Sequence, residues 1–291
     1  MKRKVVDYTQ KSYLMRMLSL TKVGIIIGNI LPTIAGIFLA TRFYSLPFSF
    51  LNLVFVITSS AVIIACGCVL NNWLDEDIDQ FMQRTKTRVL PLGLVKGSHA
   101  VLFGWILGII AVLMLTFLTN QITTQVAIIA LFFYLIPYTI LTKRTNLLGV
   151  HIGGISGAIP PVIGYVSVSN WIDINAIILF FILFFWQVPH SYAIQIFRKE
   201  DYLNAKIKTV PSKKGLQFSK ILMILHAVIY AILCYFLAFY NKSIAIAIGG
   251  ISGLYWNYII IIKHKEADLW AKKVFFVSIV TLCVMCISII V

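Results

Sequence analysis

Asp75, Glu76, Asp77 and Asp79 place four of the chain's ten acidic residues within five positions. Two carboxylates about 6 Å apart repel by roughly 3 kcal/mol at an effective dielectric of about 20. A helix C-terminus adds partial negative charge of its own, and a bound cation removes both penalties. In Asn71-x-x-x-Asp75-x-x-x-Asp79, each four-residue step along a helix turns about 400°, so the side chains drift by only about 40° per step along one face. Those three are placed to share one ion. A set of oxygen donors without sulfur or imidazole suits Mg2+, which takes its remaining ligands from water and substrate phosphate. Asp77 points to the opposite face and is expected to pair with basic residues. A solvated acidic turn at a helix end is the plain alternative.

The residues that follow favour the ion. Arg84, Lys86 and Arg88 stand in Gln-Arg-Thr-Lys-Thr-Arg, near enough to set cations beside a metal, as a diphosphate and its departing charge require; taken alone they read as ordinary topogenic charges. A second segment has a similar layout, from Trp186-Gln187-Val188-Pro189-His190-Ser191-Tyr192 to Phe197-Arg198-Lys199-Glu200-Asp201-Tyr202. If the helix continues through Pro189, then Gln187, His190, Arg198 and Asp201 share one stripe, which Ile194 interrupts. Both loops run on to a proline after a basic run, Pro91 and Pro211. A remote internal duplication would set the two acidic regions face to face across a central cavity, one metal to each.

His190 is the histidine with most to explain, as a cavity residue beside Gln187 or as a hydrogen-bonded interfacial ring. His151 starts a span near Lys143 and Arg144, where it could meet an anionic group, while His99, His226 and His264 are less informative. The run Gly153-Gly154-Ile155-Ser156-Gly157-Ala158-Ile159-Pro160-Pro161 holds a Gly-x-x-x-Gly spacing that allows close helix approach. Its double proline is expected to kink the span and open space for a bulky ligand. Tight packing without a ligand is the commoner use of such glycines.

The elements that must position these groups are membrane spans. The 291 residues are 60% hydrophobic and 12% charged, with a mean hydropathy of +0.92, too little polar surface for a soluble fold of this size. Apolar stretches long enough to cross a bilayer are read at 22–41, 51–73, 99–118, 122–141, 147–168, 174–195, 219–240, 243–262 and 271–291. Residues 1–21 read as a basic tail without a cleavable signal, and 22–291 as a single transmembrane domain. A net charge of +15 raises nucleic acid as a partner, and so apolar a composition sets it aside. All 25 Lys and Arg except Arg42 and Lys242 fall in the tail and in alternate loops. The positive-inside rule puts the tail and those loops in the cytoplasm and the C-terminus outside. The five cysteines lie within apolar spans and read as packing residues, with neither disulfides nor a metal assigned to them.

Asn71-Asn72-Trp73-Leu74-Asp75-Glu76-Asp77-Ile78-Asp79, Arg84-Thr85-Lys86-Thr87-Arg88-Val89-Leu90, the Trp-Gln-Val-Pro-His-Ser-Tyr segment, the Gly-Gly-Ile-Ser-Gly-Ala-Ile-Pro-Pro run and Asp268-Leu269-Trp270-Ala271-Lys272-Lys273 together resemble the protohaem IX farnesyltransferase (haem O synthase) family. The acidic motif alone would indicate only the wider UbiA-type intramembrane prenyltransferase superfamily. The resemblance extends from about Lys22 to the last span and implies an all-α bundle of nine transmembrane helices with a cavity open to the cytoplasm, in a bacterial cytoplasmic membrane. It implies Asn71, Asp75 and Asp79 as ligands of a diphosphate-bridging Mg2+, with Asp201 at the second region. Arg84, Lys86, Arg88 and Arg198 would hold diphosphate, with Lys143 and Arg144 as further candidates. Gln187 and His190 are haem or cavity candidates. Two departures stand out: Ala205-Lys206-Ile207-Lys208-Thr209-Val210-Pro211 replaces the more usual Ala-x-Ile-Pro-x-Leu-Pro, and the second region lacks a full Asp-x-x-x-Asp. The first changes the loop's sequence, and its extra Lys208 is a further candidate for phosphate binding.

By that resemblance, diphosphate leaves farnesyl diphosphate, the 2-vinyl group of haem b intercepts the farnesyl cation, and water captures the resulting cation to give haem O. A haem A synthase or a terminal oxidase assembly is a candidate partner to receive the haem O. A prenyltransferase of aromatic quinone or chlorophyll precursors would share the Asn/Asp motif but not the Trp-Gln-x-Pro-His-Ser-Tyr segment. A cation-coupled transporter would carry polar groups at broken helices near the bilayer midplane, whereas the ionisable groups here gather at one face. A scaffold for oxidase assembly would not depend on Asp75 or Asp79.

Overall fold

A computed structural model describes residues 8–262 and 265–291; Lys2, Arg3 and Lys4 of the basic tail, together with Lys263 and His264, lie outside the described residues. Among those described, nine helices are long and apolar enough to cross a membrane: α1 Val23–Phe43, α2 Phe50–Leu74, α3 Gly97–Leu118, α4 Gln121–Thr142, α5 Gly149–Ser169, α6 Ile174–Phe197, α7 Val210–Tyr240, α8 Ile244–Ile261 and α9 Ala267–Ile290. They correspond one to one with the nine stretches read from the sequence. Each helix packs on its chain neighbour, and α9 returns to α1, closing a ring; α1 also packs on the second half of α5, and α6 on α9.

Local chemistry fixes the helix ends. Ser49, Asn120, Asp173, Thr209 and Ser243 each offer a side-chain oxygen to a backbone N–H of the first turn they precede, satisfying donors the helix cannot. Arg42, one of the two basic residues at the sparsely charged end, donates to the carbonyls of Ile289 and Ile290 at 3.1 and 2.9 Å. It thereby caps the negative terminus of α9. At the same end, Tyr44 and Tyr165 both donate to Asp173.

Helix irregularities shape the interior. Expected over 219–240, α7 begins at Val210, because a reciprocal Thr209–Ser212 capping box starts a helical turn outside the apolar window, and Gly215 at φ 84° kinks it before the span proper. The end of α4 from Tyr134 to Thr142 is wound as a π-helix around Pro137, a feature that apolar periodicity does not signal. As the double proline predicts, α5 breaks: its first segment stops at Gly157 and its second starts at Pro160.

The glycines of α5 divide the work differently from the Gly-x-x-x-Gly reading. Gly153 faces the Tyr138 ring and Gly157 the Gln187 amide, not another helix backbone. The tight helix contact falls to Gly164, where a Cβ would lie 1.9 Å from the Thr33 carbonyl oxygen, and to its counterpart Gly36 in α1, 2.0 Å from that of Pro161.

Candidate active site

At the end of the bundle that carries the basic loops, α2 stops at Leu74. Asp75 caps it with φ −97° and ψ 1°, and a single turn, Glu76–Asp79, follows. The continuous helix assumed for Asn71, Asp75 and Asp79 is therefore interrupted at its middle member. The Asp79 N–H still reaches the Asp75 carbonyl at 2.8 Å, so the turn carrying Asp79 stays joined to the end of α2, and all three side chains are buried.

Cations from distant parts of the chain surround them. Lys143 Nζ contacts Asp75 Oδ2, which also accepts from Asn71 Nδ2 at 2.8 Å. Lys22, at the start of α1, donates to Asn71 Oδ1 at 2.7 Å, and Asn71 Nδ2 also reaches Thr139 of the π-helical turn at 3.1 Å. Arg88 bridges Asp79 at 2.5 Å and Asn72 Oδ1 at 3.1 Å. Burial and the nearby Arg88 push the Lys22 amine down to about 7. Asp75 Oδ1 is buried without a hydrogen-bond partner; Arg144 Nη2 stands 3.9 Å away. An ionised oxygen buried this way is costly, so it marks a place for a ligand.

Asp77 turns away, as its position in the motif predicts, and takes a two-pronged contact from Arg144 at 2.5 and 2.8 Å. That guanidinium holds the Asp77 carboxyl below its usual range. A depressed native value means that the pair's stabilisation is present above the ordinary carboxylate range and is lost as pH falls through the native value. The pair is largely exposed, so it is worth less than about 1 kcal/mol. Asp77→Asn should lower the melting temperature slightly at pH 7, and the difference should vanish in acid; a difference that grows in acid would contradict the assignment.

The second acidic segment lies against the first. Gln83 N donates to Asp201 Oδ1 at 2.8 Å, and Ile78 and Met82 pack with Tyr202, Ala205 and Ile207. The single stripe expected for Gln187, His190, Arg198 and Asp201 does not form. The helix ends at Phe197, and Arg198 at φ −113°, ψ 21° swings Asp201 onto a separate short helix, Lys199–Asn204. Arg198 stays 4.0 Å from Asp201. Gln187 and His190 face the interior, one turn apart on α6. Arg84 stands at the cavity wall, and Lys86 is exposed beside it; neither forms an ion pair among the described residues.

The cavity occupies about 490 Å3 and is lined mainly by apolar and aromatic groups from α1, α2, α4, α5 and α6. Tyr134 and Tyr138, stacked at 5.9 Å between centroids, form one wall beneath Lys143, with Gly67 and Gly153 leaving room for their rings. These two tyrosines, Thr139 and the role of Lys22 escaped the sequence reading. The signal for the first three was Pro137 within an apolar span flanked by aromatics; Lys22 had been counted only as a topogenic charge. Such a site can hold an anionic head among cations while sheltering a long apolar chain from water.

The UbiA prenyltransferase family profile matches residues 29–280. The chain is 38% identical to protoheme IX farnesyltransferase 2 of Pseudomonas fluorescens strain Pf-5, over 91% of this chain and 90% of that protein. It is also 38% identical to the protoheme IX farnesyltransferase of Francisella tularensis subsp. holarctica strain LVS, over 95% and 99%. Among solved structures it is similar to a digeranylgeranylglyceryl phosphate synthase (TM-score 0.75, 21% identity, 95% of this chain and 97% of that one). It is similar too to a UbiA homologue from Archaeoglobus fulgidus bound to DMAPP and Mg2+ (TM-score 0.68, 15% identity, 94% and 99%).

Proposed function

The chain belongs to the UbiA prenyltransferase family, and from that premise we propose that it transfers the farnesyl group of farnesyl diphosphate to the 2-vinyl group of haem b, with addition of water, giving haem O. The farnesyltransferase relatives, matched over at least nine-tenths of this chain, support the substrates. The observation that carries the chemistry is the unpartnered Asp75 oxygen among Asn71, Lys22, Lys143 and Arg144, beside an apolar cavity.

The donors fit Mg2+: they are all oxygens, and the buried Asp75 Oδ1 lacks a partner. Such a metal binds through a few carboxylates and draws its other ligands from diphosphate and water. Asn71, Asp75 and Asp79 would hold it at the first region and Asp201 at the second. When bound, Mg2+ supplies Lewis-acid stabilisation of the leaving diphosphate.

The protein's own groups do the rest. Arg84 and Lys86, unpaired among the described residues, and Arg88, Lys143, Arg144 and Arg198, already set against carboxylates, receive the diphosphate oxygens and spread the charge that develops as the allylic C–O bond lengthens. The walls built from Tyr134, Tyr138, Leu131 and Ile163 keep water from the allylic cation. The gathering of Lys and Arg in alternate loops supports a bacterial cytoplasmic membrane protein with this end of the bundle and the N-terminal tail at the cytoplasmic face and the C-terminus outside.

Purified protein in nanodiscs, given haem b, farnesyl diphosphate and Mg2+, should form haem O detectable by mass spectrometry; EDTA should abolish formation and excess Mg2+ restore it. Prenylation of a quinone precursor in place of haem would transfer the chain to that branch of the family. Turnover insensitive to EDTA would remove the metal.

A further inference from the structure

The reaction proposed above consumes a water molecule inside a cavity whose walls are chiefly apolar. Where that water stands is a chemical problem, because an unplaced water quenches the farnesyl cation too early and an absent one leaves the second cation to lose a proton. The lining carries several buried polar atoms without partners: Ser60 Oγ, Gln187 Nε2 and Gln195 Oε1. Buried polar groups in that state are ordinarily satisfied by ordered water.

Two side chains are built to hold one. The Gln187 amide lies across Gly157, where a Cβ would come within 2.3 Å of Gln187 Oε1; any larger residue at 157 would displace it. One turn on, the His190 ring is clamped between Trp186 and Phe275 at centroid distances of 4.6 and 4.8 Å. Its Nδ1 lies 2.7 Å from Ser278 Oγ. Ser278 spends its single hydroxyl proton on the Phe275 carbonyl at 2.5 Å, so the bond to Ser278 is donated by His190 Nδ1–H. A neutral ring then carries its lone pair on Nε2, and His190 lines the cavity together with Gln187.

We propose that Gln187 and His190 hold the water that adds to the prenylated haem, with His190 Nε2 accepting its proton. This rests on the haem O reading. In the balanced sequence, the C–O bond of farnesyl diphosphate breaks with its electron pair going to diphosphate. The vinyl π pair then forms the new C–C bond, leaving a cation on the carbon attached to the porphyrin. A water accepting from Gln187 Nε2–H and donating one proton to His190 Nε2 keeps its second oxygen lone pair free to form the C–O bond, and the proton released passes to His190 Nε2 and on to solvent. Without that water, the same cation loses a proton from the adjacent methylene, giving an alkene lighter than haem O by one water.

The test is the ratio of hydroxylated to dehydrated prenyl haem, read by mass spectrometry and independent of total turnover. Gln187→Leu and His190→Gln should each shift the ratio toward the dehydrated product by about tenfold or more, the effect of losing a hydrogen bond to a reacting group. Gln187→Asn, which keeps an amide N–H donor, should retain mostly hydroxylated product and serves if the leucine variant does not fold. An unchanged ratio in folded Gln187→Leu and His190→Gln overturns the proposal. So does a folded variant that no longer releases diphosphate, since water enters after that bond has broken. A wild-type protein that makes no haem O at all would instead sink the functional reading.

Discussion

Asp75→Ala is expected to lower haem O formation by at least about 10³-fold, the scale on which removing one preorganised charge-stabilising group acts. The carboxylate is 2% exposed and carries Asn71 and Lys143 on one oxygen, with its other oxygen unpartnered. Its loss therefore removes a metal ligand and also strands a partly buried ammonium. Breaking a buried pair from one side costs about 3–5 kcal/mol, so inactivity alone could reflect unfolding. The double variant Asp75→Asn/Lys143→Met separates the two effects, since it removes both charges. Its melting temperature should recover toward wild type while haem O formation stays absent. Activity within about tenfold of wild type in either variant, a barrier change of only about 1.4 kcal/mol, would show that the metal and the diphosphate are held elsewhere.

Gly164→Val is expected to abolish accumulation of folded protein. The added Cβ would lie 1.9 Å from the Thr33 carbonyl oxygen and 2.8 Å from its carbon, and a helix backbone cannot step aside as a flexible side chain can. Overpacking ordinarily costs about 1–3 kcal/mol, and a clash of backbone with Cβ stands at or above the top of that range. The contact joins α1 to the second half of α5, which bring Asn29, Thr33, Pro160 and Ile163 to the cavity wall. Gly24→Ala is the control: it lies in the same α1 with nothing within 4 Å of its Cβ and should be neutral or slightly stabilising by helix propensity. The readout is the monodisperse fraction recovered in detergent together with the melting temperature. Equal behaviour of the two variants would mean that the α1–α5 contact is looser than the structure shows.

Some of the site is determined by residues close together in sequence. Asn71, Asp75 and Asp79 need only one helix end and the turn after it to lie near one another. The turning away of Asp77 follows from the same periodicity, and the nine spans follow from apolar runs of bilayer length. The alternation of charged and uncharged loops is likewise written in the order of the residues, because each crossing reverses direction. Hydropathy, periodicity and charge order act over a few turns of helix, so these features could be read without knowing what packs on what.

Tertiary structure decided the partners. Lys22 and Lys143 reach the acidic cluster from 49 residues before Asn71 and 68 after Asp75, and nothing local distinguishes them from the other basic residues of their loops. The breaks at Asp75 and Arg198, which bring the two acidic regions against each other, arise where helices meet the facing loop, as in the Gln83–Asp201 bond. The π-helical turn that brings Thr139 and Lys143 into place is likewise stable only within its packed surroundings. The tautomer of His190 depends on Ser278, 88 positions away on α9. Each is a contact between elements, and its energy exists only once the ring of helices has closed. The sequence by itself therefore determined the kind of chemistry and the end of the bundle where it gathers, while closure of the ring decided which cations, which aromatic walls and which unpartnered atoms surround it.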